Sequence, residues 1–256
     1  MLRFPPPEPR RGWLQSRRGD AAALFDAAVP RLVEAAVSAA GGFEAADPAT
    51  ACPRCGEALG PGCRGPEDPN CPAAGAPWSR LHQLGPYAGD LSAWIARMKF
   101  RREWAWSGFF GARLAAAWLA ARPGPEAPTP AVAFVPMPLR RRWHRGFNQA
   151  RLMADALAAE AAAGGVPLRV VPLLRRRRHT PPQRGMSRQQ RLRRMSRAFA
   201  AARPWPGRPA APAGPVLLVD DVLTTGATLR AASATLRAAG HGPVEVAVAA
   251  VVPRRR

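Results

Sequence analysis

One stretch of fourteen residues limits the folds open to this chain more than any other. It runs from Val216 to Leu229 and reads VLLVDDVLTTGATL. The apolar residues before Asp220 and Asp221 are typical of a central parallel strand that is buried on both faces. A helix is predicted to follow, so the two aspartates are expected at the carboxyl end of the strand. Ligands bind at that edge in open α/β sheets.

The aspartate pair and the turn after it favour a sugar phosphate as the ligand. Carboxylates in this place suit ribose hydroxyls or a hydrated magnesium ion. Gly226 lets the backbone approach a ligand closely, and the start of the helix offers free N–H groups to one phosphate. The other residues of this turn are Thr224, Thr225, Ala227 and Thr228. The alternative is that the two aspartates only cap a turn.

Two other protein classes with related motifs do not fit. A Walker loop requires a lysine after its glycines, and no lysine stands near Gly226. A receiver domain carries its acidic pair after the first strand of its fold. Too few residues follow Asp221 in this chain to complete such a domain.

Short apolar runs alternate with helical segments along the rest of the chain. Leu91, Trp94, Ile95 and Met98 have the spacing of one buried helix face. The other predicted helices are Trp106–Ala121, Asn148–Ala163 and Leu229–Ala239. AVAFVPMP is predicted as a buried strand with the loop after it, and LRVVPLL and VEVAVAAVV as further strands. This alternation predicts an α/β fold with a mostly parallel sheet flanked by helices.

All cysteines of the chain lie in one segment, residues 51–78, which is rich in glycine and proline. They are Cys52, Cys55, Cys63 and Cys71. Because the segment has too few aliphatic residues for a core, a structural zinc ion bound by the four thiolates is expected to fold it. Two alternatives are a redox dithiol at Cys52 and Cys55 and a module without metal. His82 is a candidate replacement ligand.

The charge of the chain suits a polyanionic partner. Lysine and arginine number 38 against 17 acidic residues, a formal net charge of +21, and Lys99 is the only lysine. Such a charge favours phosphates and nucleic acid, although a charge run is more often a solvated face. The N-terminus has no apolar run as long as that of a signal peptide, and no apolar stretch of the chain is long enough for a membrane span. We therefore expect a cytoplasmic protein with no membrane insertion and with reduced thiols.

The stretch Val216–Thr228 resembles the phosphoribosyl pyrophosphate (PRPP) binding signature of type I phosphoribosyltransferases. That signature consists of a hydrophobic run, two acids and a turn of the T-G-x-T type. The resemblance implies that Asp220 and Asp221 are catalytic residues that hold the ribose 2′- and 3′-hydroxyls. It also implies that Thr224–Thr228 hold the 5′-phosphate and that Mg²⁺ accompanies PRPP.

Three further segments and the cysteine cluster are similar to the ComF family of phosphoribosyltransferase-like proteins. The segments read YAGDLSAWIARMKFRR, VPMPLRRRWHRGFNQARLMADALA and RRRHTPPQRGMSRQQR, and RGFNQA is their most family-specific part. The similarity extends from about Cys52 to Val252. It implies a type I phosphoribosyltransferase fold over residues 85–256, a zinc-ribbon-like module over 51–78, and a tail with short helices over 1–50.

The resemblance also implies residues for the rest of the site. Arg140, Arg141 and Arg145 belong to the loop that binds pyrophosphate in that superfamily, and Arg145 is assigned to the catalytic set because departing pyrophosphate carries several negative charges. For each arginine the alternative is a solvated basic turn. Thr180 and Gln183 match the flexible loop that closes over PRPP. Met195 departs from the family, which usually has asparagine there.

Two functions follow from these patterns. The first is a phosphoribosyltransferase that binds Mg-PRPP and transfers the phosphoribosyl group to an unidentified acceptor, with a role in DNA uptake and natural competence as the ComF resemblance implies. The second is a non-catalytic protein of the competence machinery that binds single-stranded DNA or nucleotides. It would use the basic segment 175–197 together with Trp143 or Phe147 as a stacking surface. A third hypothesis is a regulator that senses PRPP and transfers nothing.

Overall fold

The computed structural model describes residues 33–35, 37–38, 42–138, 141, 143, 146–177, 198–202 and 213–254. The chain divides into two compact units, Met1–Phe43 and Glu44–Arg256. In the first unit, residues 33–35 and 37–38 are helical, and Val33 and Val37 are buried. The second unit contains the sheet, the cysteine cluster and the aspartate pair. No helix among the described residues is long and apolar enough to cross a membrane.

A five-stranded parallel sheet forms the centre of the second unit. Its strands are β1 (Arg80–Gln83), β2 (Ala131–Phe134), β3 (Arg169–Val170), β6 (Val216–Leu223) and β7 (Val244–Val251), in the order β1-β7-β6-β2-β3. A second, antiparallel sheet pairs β4 (Leu174–Arg176) with β5 (Phe199–Ala201). The prediction of an α/β protein with a mostly parallel sheet is confirmed.

The run LRVVPLL was predicted as one strand, and this prediction is wrong. Pro172 divides it, because proline has no N–H to donate to a ladder. Before the proline, β3 pairs with β2 in the parallel sheet. After it, the N–H of Leu173 donates to the carbonyl of Val171 at 2.9 Å in a tight turn, and β4 belongs to the second sheet.

The sheet is accompanied, in the described part of this unit, by the α-helices α1 (Gly89–Phe100), α2 (Ala105–Ala120), α3 (Gln149–Ala163) and α4 (Ala227–Ala238). The four residues predicted as the apolar face of α1 are all buried. The bounds of α2 and α3 agree with the prediction to one residue. Helix α4 begins two residues earlier than predicted, so Ala227 and Thr228 belong to its first turn rather than to the loop.

Candidate functional site

The aspartate pair lies inside β6 rather than after it. Pairing with β2 ends at Val219, opposite Phe134. Pairing with β7 continues from Asp220 to Leu223. The strand therefore has no β2 neighbour from the first aspartate onward, and the pair lies at the open carboxyl edge of the sheet. Ligands of parallel α/β sheets bind at this edge.

The two carboxylates belong to opposite faces of the sheet, since side chains alternate along a strand. Val216 and Leu218 lie on the same face of β6 as Asp220, because alternate residues of a strand share a face. They pack in a core that includes Leu229 and Phe199. Asp220 thus faces the side of α4 and the β4–β5 sheet. Asp221 faces the other side, where its partners come from α1 and α3.

Both oxygens of Asp221 are engaged. The Nζ of Lys99, in the last turn of α1, lies 3.1 Å from Oδ1. The Nε2 of Gln149, the first residue of α3, donates to Oδ2. The side chains of Lys99 and Asp221 are only 16% and 13% exposed, so this ion pair is largely shielded from water. The only lysine of the chain therefore neutralises one of the two aspartates.

The RGFNQA stretch positions this contact. The Oδ1 of Asn148 accepts a hydrogen bond from the N–H of Ala150 at 3.1 Å and caps α3. Its Nδ2 donates to the carbonyl of Val135, just after β2, at 3.2 Å. Asn148 thus fixes the start of α3 to the sheet, which places Gln149 beside Asp221. The Oε1 of Gln149 is buried and has no hydrogen-bond partner among the described residues.

Of the two aspartates, Asp220 has no cation at contact distance among the described residues. Its Oδ1 accepts the N–H of Asp221 at 2.9 Å. Burial and the neighbouring charge of Asp221 raise the pKa of Asp220 to about 8, against the opposing charges of Lys99 and Arg176. This carboxyl therefore binds a proton more readily than an ordinary aspartate does.

Arg176 of β4 brings a partly buried positive charge to the Asp220 side. Its guanidinium lies 5.1 Å from the centroid of the Phe199 ring, and Nη1 is 3.5 Å from the carbonyl of Pro136. Burial and the charge of Arg141 lower the pKa of Arg176, while Asp220 opposes this. A guanidinium in this position suits an anionic ligand at the same edge.

The TTGAT turn (Thr224–Thr228) follows the pair directly. Thr224 and Thr225 are exposed, and Gly226 adopts φ +75° as the N-cap of α4. This left-handed backbone favours glycine. The first N–H groups of a helix have no partner within it, so the start of α4 offers them to an anion.

The four cysteines form one buried cluster. The Sγ atoms of Cys52, Cys55, Cys63 and Cys71 all lie within 4.8 Å of one another. Cys52 and Cys71 are 3.9 Å apart, and Cys55 and Cys63 are 3.6 Å apart. A tetrahedral site with Zn–S bonds of about 2.3 Å has edges of about 3.8 Å. The cluster can therefore hold a structural metal such as zinc.

The pKa values of three of these thiols depart from the usual value in both directions. Burial raises the pKa of Cys55 above its usual value and that of Cys63 to about 11. For Cys52, burial is outweighed by hydrogen bonds from the N–H groups of Arg54 and Cys55, which lower its pKa. A metal ion stabilises such buried thiols as thiolates. No replacement ligand is needed, since the four cysteines converge. His82, the candidate for that role, instead has its Nε2 2.8 Å from Glu245.

Several predicted site residues lie outside the described residues: Arg140, Arg145, Thr180 and Gln183. Arg141 is described and exposed. The roles of these five residues stay predictions. The sequence analysis missed Lys99, Gln149 and Arg176. Two of them carried a signal, since Lys99 is the only lysine and Gln149 lies within the RGFNQA stretch.

Relatives among curated proteins identify the family. No protein-family model matches the chain. Competence protein F of Haemophilus influenzae is 33% identical over 187 residues, which cover 69% of this chain and 75% of the relative. The chain belongs to the ComF family. The ComF resemblance drawn from the motifs is thereby confirmed.

Two further relatives extend the comparison. The DNA utilization protein YhgH of Salmonella typhi is 30% identical over 198 residues, 76% of this chain and 81% of the relative. The protein of the same name from Escherichia coli K12 is 33% identical over 172 residues, 66% of this chain and 71% of the relative. These ComF-family relatives are named for competence or for the use of DNA.

Proposed function

We propose that this ComF-family protein is a phosphoribosyltransferase of the type I fold that binds Mg-PRPP at the aspartate pair and the TTGAT turn. One observation carries the proposal: two acids at the open carboxyl edge of a parallel sheet are followed at once by a left-handed glycine and a helix start. The acids suit the hydroxyls of a ribose, and the helix start suits its 5′-phosphate.

Asp220 is the carboxylate that meets the ribose first. It lies on the same face of the sheet as α4, and no cation of the described residues is at contact distance. Asp221 reaches the ribose when Lys99 releases its Oδ1. Gln149 continues to hold the other oxygen, so the carboxylate stays in position.

The proposed reaction transfers the phosphoribosyl group. The acceptor nucleophile forms a bond to C1′, and the bond from C1′ to the pyrophosphate oxygen breaks, so pyrophosphate leaves with the electron pair. Bound Mg²⁺ supplies positive charge for the leaving group. Arg176 adds a fixed cation nearby, and Arg140, Arg141 and Arg145 are proposed to complete that set.

We also propose that the cysteine cluster holds zinc and that the protein acts in DNA uptake or utilisation. The S–S distances support the zinc ion. The role is supported by the names of the relatives, competence protein F and DNA utilization protein.

Calorimetric titration with Mg-PRPP tests the transferase proposal. We expect saturable binding in the wild type and none in the variant Asp220→Asn/Asp221→Asn. Asp155→Asn is the matched control, because this aspartate lies on α3 and is paired with Arg151 at the surface. A flat titration of the zinc-loaded wild type would contradict PRPP binding. Release of pyrophosphate in the presence of candidate acceptors then separates transfer from sensing.

A second candidate function is the binding of single-stranded DNA without transfer. Large aromatic side chains stay exposed beside arginines, which is the composition of a base-stacking surface. Phe100 is 73% exposed and precedes Arg101, and Trp143 is 71% exposed near Arg141. Phe147, the other predicted stacking residue, is only partly exposed.

A further inference from the structure

The cysteine module (residues 51–78) packs against the TTGAT turn. A narrow cleft between them is lined by Thr224, Thr225 and Gly226 on one side. On the other side it is lined by Cys55, Pro72 and Trp78, among other residues. The cleft has a volume of only about 20 Å³, so the two segments lie close together. The cysteine module and the TTGAT turn thus line the same cleft.

One connection between the metal ligands and the turn goes through Trp78. Its Nε1 donates to the carbonyl of Arg54 at 2.9 Å, and Arg54 lies between the ligands Cys52 and Cys55. The Trp78 ring is buried, and its Cη2 lies 3.8 Å from the position that a Cβ on Gly226 would occupy. A side chain at position 226 would therefore contact the Trp78 ring, which lies beside the left-handed glycine.

A second connection goes through Arg230, in the first turns of α4. Its Nη2 donates to the carbonyls of Pro72 and Ala74 at 2.9 and 3.3 Å. These carbonyls lie one and three residues after the ligand Cys71. The backbone N–H of Arg230 donates to the carbonyl of Gly226 at 2.8 Å, which closes the first turn of the helix. One residue thus joins the loop after a metal ligand to the turn.

Charge strengthens this connection. The guanidinium of Arg230 lies 5.6 Å from the centroid of the Trp78 ring, within the range of a cation–π interaction. Four metal-bound thiolates carry more negative charge than one divalent ion neutralises, so a bound metal centre attracts this cation.

We propose that metal binding to the cysteine cluster sets the conformation of the TTGAT turn, and that Arg230 is the positioning residue that transmits it. The regulation rests on the proposed binding of PRPP at that turn. Metal-loaded protein holds Pro72 and Ala74 in place for Arg230, and the start of α4 is then ordered for a phosphate. Without metal the two carbonyls lose their fixed position, and the turn loosens.

Hydrogen exchange of the amides in residues 224–229, together with titration of Mg-PRPP, tests the proposal on the full chain. Removal of zinc from the wild type by a chelator is expected to speed exchange and to weaken Mg-PRPP binding about tenfold. Arg230→Met is expected to keep its zinc, measured as stoichiometry, and to show the same two changes in the zinc-loaded state. Removal of zinc from Arg230→Met by a chelator should then cause little further change in amide exchange or in Mg-PRPP affinity.

Two control variants separate position from charge. Arg237→Met changes an exposed arginine in the last turn of the same helix and should behave as wild type. Arg230→Lys keeps the charge but lacks the fork that reaches two carbonyls, so it should not restore slow exchange. Full restoration by lysine, or wild-type exchange in zinc-loaded Arg230→Met, would overturn the positioning role.

The two proposals fail separately. If the zinc-loaded wild type binds no Mg-PRPP but exchange depends on zinc and Arg230, PRPP binding is wrong and the coupling stands. If Mg-PRPP binds with equal affinity with and without zinc and exchange is unchanged, the coupling is wrong and the proposed function stands.

Discussion

Lys99 neutralises a carboxylate that has little access to water, so its removal has a large cost. In Lys99→Met, Asp221 loses its cation and, among the described residues, is left with Gln149 as its side-chain donor. Breaking one partner of a buried ion pair costs about 3 kcal/mol. We expect the free energy of unfolding, measured in urea, to fall by about that amount.

A double-mutant cycle provides the control for this prediction. Lys99→Met/Asp221→Asn removes both charges, so it should recover most of the stability that Lys99→Met loses. Equal losses in the single and double variants would show that Lys99 acts by packing rather than by charge.

The titration of Asp220 is expected to make the free energy of unfolding depend on pH. Its pKa is raised to about 8 in the folded protein, above the value of about 3.9 in an unfolded chain. Between these two values the folded protein holds a proton that the unfolded chain has released. The free energy of unfolding should therefore fall as the pH rises from about 4 to about 8.

Asp220→Asn tests this origin, because the amide oxygen can still accept the N–H of Asp221 while the titration is lost. Urea denaturation from pH 5 to pH 8 should show a flatter profile in this variant than in the wild type. Glu160→Gln, which changes an exposed carboxylate on α3, serves as the control. An unchanged slope in Asp220→Asn would assign the pH dependence to another group.

Residue patterns identified the acids but not their partners. Asp220 and Asp221 could be found because an apolar strand and a turn frame them in sequence. Lys99 and Gln149 are far from them in sequence, and only the packing of α1 and α3 on one face of β6 brings them to Asp221. A contact between separate elements has no local pattern, so sequence analysis predicted neither partner.

Two glycines of α2 offer a matched test of helix packing. At Gly111 a Cβ would come within 2.5 Å of the carbonyl oxygen of Met153 and 2.7 Å of Cβ of Ala156, both on α3. At Gly108 a Cβ would meet nothing within 4 Å. Gly111 therefore permits the close approach of α2 and α3.

Alanine at the two positions should have opposite effects. Gly108→Ala should stabilise the protein by up to about 1 kcal/mol through helix propensity. Gly111→Ala should destabilise it by about 2 kcal/mol, since overpacking outweighs the same gain. Thermal or urea unfolding measures both. A stabilised Gly111→Ala would mean that α3 moves away at little cost.

Element types were more predictable than element ends. The period of the apolar residues identified α1 and its buried face, and the Val216–Val219 run identified β6. The ends depend on neighbours: β6 continues to Leu223 because β7 pairs with it beyond the aspartates. That pairing partner lies elsewhere in the chain, and the composition of DDVL does not reveal it.

At the scale of the whole molecule, the two candidate functions make different demands on the same chain. Transfer requires a compact site at the edge of the sheet, where Asp220 and the TTGAT turn meet. DNA binding requires an extended basic surface, for which the net charge of +21 is well suited. Substitutions at the aspartate pair and at exposed aromatic residues therefore separate the two functions.

Binding of a labelled single-stranded oligothymidylate, followed by fluorescence anisotropy, measures the second function. A protein that contacts six to ten phosphates loses about 10³- to 10⁵-fold in affinity between 50 and 200 mM salt. We expect a salt dependence of this kind in the wild type and in Asp220→Asn/Asp221→Asn alike. Phe100→Ala and Trp143→Ala should each lose about 1–3 kcal/mol of binding free energy, the value of one stacked base.

Leu59→Ala is the control for the loss of an exposed apolar side chain, since Leu59 is 43% exposed and belongs to the cysteine module. It should bind the oligonucleotide as the wild type does. If the aromatic variants also bind like the wild type, stacking is wrong. If Asp220→Asn/Asp221→Asn no longer binds the oligonucleotide, the oligonucleotide occupies the sugar-phosphate site. One pocket then binds both ligands. Competition by Mg-PRPP would show this directly, because only a shared pocket makes the two ligands exclude each other.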